Sequence, residues 1–222
     1  MANLLESFFP DLGPGKLEQL GNLETVFKEW NSRINLVSRK DMDQFTLHHL
    51  VHSLALMSWI HLPAGARILD VGTGGGLPGM PLAICFPEAE FFLCDSITKK
   101  AKAVEDMVQA LQLPNVQVVN KRAESLESRW DFVLGRAVTS LPRFLGWIRG
   151  NIRQGGGESL PNGVLYWKGS LYKEELEEIG IEPFAVYPLW EKVPDPYFEE
   201  KYIIHLSREQ VLQAKLPEEQ QA

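Results

Sequence analysis

Ten consecutive residues, Asp70-Val71-Gly72-Thr73-Gly74-Gly75-Gly76-Leu77-Pro78-Gly79, carry five glycines behind one carboxylate. Glycine permits backbone turns closed to other residues and lets a ligand approach the main chain. Such a segment is either a bare strand-to-helix turn or a ligand cradle. Gly74-x-Gly76-x-x-Gly79 has the spacing that holds a dinucleotide pyrophosphate, a pattern that is not specific alone. A pyrophosphate needs free N–H groups at a helix N-terminus. Pro78 and Pro81 offer none there, so phosphate is poorly served.

Further polar residues fall where such a cradle would use them. Asp95 follows the glycines by about twenty residues, the offset at which a carboxylate accepts both hydroxyls of a ribose. Ala123 and Glu124, in Arg122-Ala123-Glu124, are candidates for the edge of an adenine, or else an ordinary helix start with solvated charges. Arg136, in Leu134-Gly135-Arg136-Ala137, and Lys168 each follow an apolar run. Ligand sites of open parallel sheets lie beyond such strand ends. Lys168 could hold phosphate as a mobile point charge or simply be solvated. His48 and His52 have the four-residue spacing of metal ligands, but no third ligand accompanies them, and no metal is expected. A Gly-x-Ser-x-Gly nucleophile elbow is missing.

These residues need a scaffold, and its outline is legible. Leu20, Leu23, Phe27, Trp30 and Ile34 recur at helical steps and predict one apolar stripe. A second helix is expected after Asp41, with Gln44 completing a capping box, and runs to about Ile60. From Arg67 onward short apolar runs alternate with helical segments. Strands are expected at 67–71, 91–94, 116–119, 132–134 and 163–167, with helices at 99–111 and 141–152 between them. That alternation predicts an α/β fold, a mostly parallel sheet with helices on both faces. Residues 185–189 and 202–206 lack an intervening helix and predict a C-terminal antiparallel strand pair. The stretch 154–163 reads as a mobile surface loop and the tail after Arg208 as polar and frayed. The expected division is a helical extension over 1–62, a ligand-binding domain over 63–208 and a polar tail over 209–222, together one compact unit.

At 222 residues the chain suffices for one ordinary domain, and 45% hydrophobic with 23% charged residues suits a folded globule. Apolar runs fall far short of the roughly 20 residues that cross a membrane, and the N-terminus lacks the pattern of a secretory signal. Cys85 and Cys94 lie in apolar runs and read as small buried hydrophobes, so a reducing cytoplasm is expected. The net charge is −7, unlike that of a protein gripping naked polyanion by bulk charge. Base nonetheless gathers locally at Arg39-Lys40, at Lys99, Lys100 and Lys102, and at Lys121-Arg122. A nucleic acid would be met by such a patch.

Read from its carboxylate, Asp70-x-Gly72-x-Gly74-x-Gly76 resembles the loop of class I S-adenosylmethionine (SAM) methyltransferases. Because SAM carries no phosphate, it loses nothing at Pro78 and Pro81. The chain more specifically resembles the GidB-type methyltransferases. Trp30-Asn31, Asn35-Leu36, His49-Leu50, Ser53-Leu54, Asp70 to Gly79, Asp95-Ser96, Arg136-Ala137 and Lys168-Gly169 carry the likeness in order over roughly residues 20 to 206. The resemblance implies a Rossmann-like SAM-binding sheet and methylation of N7 of a guanine in 16S ribosomal RNA of the small subunit. It places cofactor contacts on Gly72, Leu77, Ala123, Glu124 and Arg136, beside Asp70, Gly74, Gly76 and Asp95 of the loop reading. Arg39, Lys99, Lys100 and Lys168 are the expected RNA contacts. An NAD-dependent oxidoreductase and a small-molecule methyltransferase are the alternatives.

Three positions depart from the family pattern. Gly75 stands where Pro or Ala is common and should loosen the loop. His52 stands where Asp is frequent. Lys201-Tyr202 replaces an Arg-His pair, which removes any bidentate recognition at that point. Guanine N7 bears a free lone pair at neutral pH, so its methylation needs no general base. Alignment of the reactants is the expected source of rate.

Overall fold

The computed structural model describes residues 1–216, apart from the side chain of Arg39; the end of the expected polar tail lies outside those residues. Helix α1 (Ala2–Phe8) leads into α2 (Gly13–Ile34), whose buried stripe is Leu17, Leu20, Leu23, Phe27 and Asn31. Trp30 and Ile34 flank that stripe and are half-buried. Asn31 closes the helix end: its side-chain oxygen accepts the Val37 N–H at 2.8 Å, just after Asn35 turns through a left-handed φ of 47°.

The next segment differs from the single helix expected after Asp41. Ser38, not Asp41, caps the short α3 (Arg39–Asp43), its hydroxyl accepting the Asp41 N–H, and Gln44 ends it. A π-helical turn over Thr46–Val51 follows, then α4 (His52–Leu54) and a 3-10 turn over Ala55–Ser58. A π turn inserts an extra residue into the helical register, a feature frequent at functional sites.

Beyond it the strands are β1 (Arg67–Val71), β2 (Glu90–Cys94), β3 (Val116–Val119) and β4 (Phe132–Arg136). The helices among them are α5 (Gly79–Cys85) and α6 (Thr98–Ala110), and α7 (Leu141–Ile148) follows β4. The expected loop at 154–163 instead pairs as a small hairpin, β5 (Gly156–Gly157) with β6 (Leu160–Pro161). Then come β7 (Gly163–Lys168), α8 (Tyr172–Ile179), β8 (Ala185–Pro188) and β9 (Tyr202–Ser207). The chain after Arg208 is not frayed at first: α9 (Arg208–Gln213) forms under a capping box between Ser207 and Gln210, and buries Val211.

The seven-stranded sheet runs β3-β2-β1-β4-β7-β9-β8, parallel up to β7 and antiparallel where β9 pairs with β7 and β8. Two apolar layers cover it. One joins the N-terminal helices, from Leu5 and Phe27 to Leu62, with Ile68, Met80 and Phe91. The other holds Leu69, Val133, Phe144, Tyr166 and Ile204. Cys85 and Cys94 are buried and unbonded to each other. Among the described residues no helix is long and apolar enough to cross a membrane.

Candidate functional site

Strand β1 passes at Val71 into the glycine turn, which is braced from both sides. Asp70 is buried, and its Oδ2 accepts the Thr73 hydroxyl at 2.7 Å and the Gly79 N–H at 3.0 Å. Burial pushes its carboxyl up to about 6, against the pull of those two hydrogen bonds and of the Arg136 charge; Oδ1 has no partner. Asp95, at the tip of β2, accepts the Gly74 N–H at 3.0 Å through Oδ2 and the Ile97 N–H at 2.8 Å through Oδ1. A carboxylate has about four acceptor sites, so both oxygens keep capacity for a ligand.

The first turn of α5 holds no free donors. Gly79 N–H is taken by Asp70, Met80 N–H donates to the Gly76 carbonyl at 2.8 Å, and Pro78 and Pro81 have none. A pyrophosphate would find nothing there to neutralise it. Gly72 adopts a φ of 65°, and a Cβ on it would lie 2.9 Å from Cγ1 of Val138. The tips of the strands thus enclose a crevice lined by Gly72 from β1, Asp95 and Ser96 from β2, and Ala123 and Glu124 after β3. Val138 and Trp147 form its far side. The crevice offers bare backbone at Gly72, a carboxylate at the tip of β2 and an apolar wall, the features a phosphate-free nucleoside would use.

Four of the sequence-derived cofactor residues, Gly72, Asp95, Ala123 and Glu124, therefore meet in one place. Gly74 and Gly76 shape the turn without lining the crevice, and Leu77 is buried in the apolar layer of the N-terminal helices. Gly75, where loosening is expected, is packed over. Its backbone is covered by the Phe27 ring, which leaves no room for a side chain.

Arg136 faces another way. Its Nη2 donates to His49 Nδ1 at 3.2 Å, and Nη1 comes within 3.5 Å of the His48 carbonyl, so the π turn supplies both neighbours. Burial lowers the guanidinium to about 10, partly offset by Asp70. Burial first, and then the Arg136 charge, lower His49 to about 4. The imidazole is neutral, and because its Nδ1 accepts, its proton sits on Nε2. His52 is likewise held well below the usual range by burial.

Arg136, Thr139, Lys168, Ser170, Glu200 and Lys201 border a second cavity of about 380 Å³ between the ends of β4 and β7. Residues 136–139 are the wall between it and the nucleoside crevice. Lys168 is not the mobile cation expected, because its Nζ pairs with Glu175 at 2.6 Å with both side chains largely buried. Lys201 lies 3.5 Å above the Tyr197 ring, on which His48 also stacks at 3.8 Å. Lys99 and Lys100 open α6 on the same sheet edge, exposed and half-buried respectively. The side chain of Arg39 lies outside the described residues. Among those residues no three His, Cys, Asp or Glu side chains converge as metal ligands.

Sequence reasoning missed Val138, Trp147 and Tyr197. Trp147 reads as packing in the sequence because it sits in an apolar stretch; its edge position on the crevice depends on how α7 docks.

Comparison with known proteins follows the same lines. Residues 16–186 match the family GidB, described as rRNA small subunit methyltransferase G. A protein of that name from Flavobacterium johnsoniae is 44% identical over 199 residues, covering 90% of this chain and 94% of the relative. One from Cytophaga hutchinsonii is 40% identical, covering 91% and 98%. Among solved structures, a SAM-dependent methyltransferase from Aquifex aeolicus aligns with a TM-score of 0.54 at 16% identity, covering 72% of this chain and 90% of that one. Aeropyrum pernix fibrillarin with natively bound SAM gives 0.51 at 17%, covering 68% and 71%. These two likenesses concern the fold: a class I, Rossmann-like methyltransferase sheet.

Proposed function

The chain belongs to the GidB family of small-subunit ribosomal RNA methyltransferases, and from that premise we propose that it transfers a methyl group from SAM to N7 of a guanine in 16S ribosomal RNA. The observation that carries this reading is the pair of cavities on either side of residues 136–139. One is a crevice suited to a phosphate-free nucleoside. The other is edged by Arg136 and Lys201, as an RNA nucleotide would require. Gly72, Asp95, Ala123 and Glu124 are proposed to hold the cofactor, and Arg136 to stand where cofactor and base meet.

When bound, SAM supplies an electrophilic methyl on a sulfonium centre, and the N7 lone pair accepts it with no proton to remove. Residues 136–139 accordingly carry no carboxylate or imidazole that could act as a base. His49 and His52 are buried neutral groups whose role is to surround Arg136 without adding charge. What the residues do is orient and exclude water. N7 lies on the major-groove edge, out of reach in an A-form helix, so the target base must be in a loop, a bulge or flipped.

An NAD-dependent oxidoreductase loses support from the same site, since the first turn of α5 has no donor left for a pyrophosphate. The acidic net charge favours an assembled subunit over naked RNA as substrate. A cytoplasmic site of action is proposed with it. Mass-spectrometric mapping of N7-methylguanosine in 16S ribosomal RNA from cells with and without the protein tests the reading. A modification that persists in cells lacking it counts against it.

A further inference from the structure

The wall between the two cavities is a short loop that nothing in its own sequence would hold in place. Ala137 adopts a left-handed φ of 55°, an unfavourable conformation for a residue with a Cβ. The loop puts neighbouring side chains to opposite uses: Val138 rests on Gly72 in the nucleoside crevice, while Arg136 and Thr139 line the other cavity. Its position is set from below by one hydroxyl. Tyr166 Oη donates to the Thr139 carbonyl at 2.8 Å and accepts the Thr139 N–H at 3.2 Å, so a single side chain satisfies both backbone groups of that residue.

The phenol itself is fixed. Tyr166 is 1% exposed on β7, its ring edge-on to Phe144 at 4.5 Å. Gly135 leaves the space it needs: a Cβ there would stand 2.5 Å from Cδ2 of Tyr166 and 2.7 Å from Cε2 of Phe144. Burial holds the hydroxyl protonated, up to about 12. On the far side, Leu141 N–H donates to Glu175 at 3.0 Å and starts α7. The loop is therefore pinned at Thr139 and Leu141, with Arg136 and Val138 presented from the stretch before.

We propose that Tyr166 is a positioning residue for methyl transfer, its hydroxyl fixing the Thr139 backbone so that Val138 shapes the cofactor crevice and Arg136 faces the acceptor cavity. This inference rests on the SAM-dependent reading given above. Without the hydroxyl, both Thr139 backbone groups seek water, and Ala137 can leave its strained conformation. Val138 then leaves Gly72.

The test pairs Tyr166→Phe, which keeps ring and packing, with Val211→Ala, which loosens the same layer from α9 but leaves the hydroxyl bonds. SAM affinity is measured by isothermal titration, and kcat and the KM for small subunits by tritiated-methyl transfer. Thermal unfolding reports folding of each variant. The expected result for Tyr166→Phe is SAM binding weaker by about tenfold, the loss of one buried hydrogen-bonding group. Its kcat should fall, with the KM for subunits within twofold of wild type. Val211→Ala should lower the melting temperature and leave SAM affinity within twofold. Affinity and kcat unchanged in Tyr166→Phe would overturn the inference while leaving the methyltransferase reading in place. Equal affinity losses in the two variants would overturn it too, since they would mark a packing role. A wild-type protein that binds no SAM would instead overturn the reading and the inference with it.

Discussion

The ring of Phe27 in α2 lies directly against the backbone of Gly75, so that a Cβ on that glycine would sit 2.6 Å from Cε2 of the ring. A helix near the N-terminus thus forms the back of the glycine turn, and the two positions are sterically coupled. Gly75 has no positive φ, so closeness alone demands the glycine. Gly75→Ala should cost about 1–3 kcal/mol through overpacking. Adding Phe27→Leu should recover part of that loss, a coupling that a double-mutant cycle in urea would reveal. Strictly additive losses would contradict it.

Asp95 has two tasks, one for the turn and one for the ligand. Asp95→Ala removes the acceptor of Gly74 and Ile97 together with the proposed ribose contact. SAM affinity should drop by tenfold or more, about 1.5–3 kcal/mol for hydrogen bonds to a charged group. Titration calorimetry measures it, and unchanged affinity would remove Asp95 from the site.

Lys168 should matter for stability rather than for RNA. Its ion pair with Glu175 is mostly buried, and Lys168→Met leaves that carboxylate with only the Leu141 N–H. A loss of about 2–3 kcal/mol is expected, below the cost of a wholly buried pair. Lys168→Met with Glu175→Gln should regain most of it, as read from chemical unfolding. The salt dependence of subunit binding should stay as in wild type. Lys99→Ala with Lys100→Ala should instead flatten it, by roughly 0.7–0.9 for each phosphate left without its cation.

Acid should weaken the fold through its histidines. His205 is buried, donates Nε2–H to the Pro161 carbonyl at 2.9 Å and is lowered to about 4 by burial, as His49 is. Between pH 6.5 and 4 the unfolded chain binds protons that these folded imidazoles refuse, so stability falls as pH falls through that window. Asp70, raised to about 6, acts oppositely: its folded form binds a proton earlier, which favours the fold as pH drops below 6. With His52 also held low by burial, three histidines against one carboxylate leave a net decline. His205→Gln should reduce the slope by up to one proton, about 1.4 kcal/mol per pH unit, in melts across that range.

Much of this was legible in the residue order, because local signals agree with their surroundings. The apolar runs at 67–71 and 132–134 are strands since both faces of a central strand are covered, and the two prolines after the glycines already argued against phosphate. The crevice residues Gly72, Asp95, Ala123 and Glu124 were readable because a parallel sheet gathers its strand ends on one edge. What escaped depends on packing between distant segments. Ser38 outcompetes Asp41 as a cap by lying where α2 releases the chain, and the π turn at Thr46–Val51 has no local signal. Lys168 reads as free in the sequence because its partner lies on α8, and Val138 gives no sequence signal because its place above Gly72 depends on the left-handed Ala137.

The spent donors at the start of α5 bear on what the protein meets in a cell. Adenosine triphosphate shares a base and a sugar with the proposed cofactor and would otherwise compete for the same seat. Its chain of negative oxygens would have to shed water opposite two prolines and two amides already engaged by Asp70 and Gly76. A nucleotide that brings a phosphate chain would therefore meet no free donor at the start of this helix, whereas a nucleoside without one gives up nothing there.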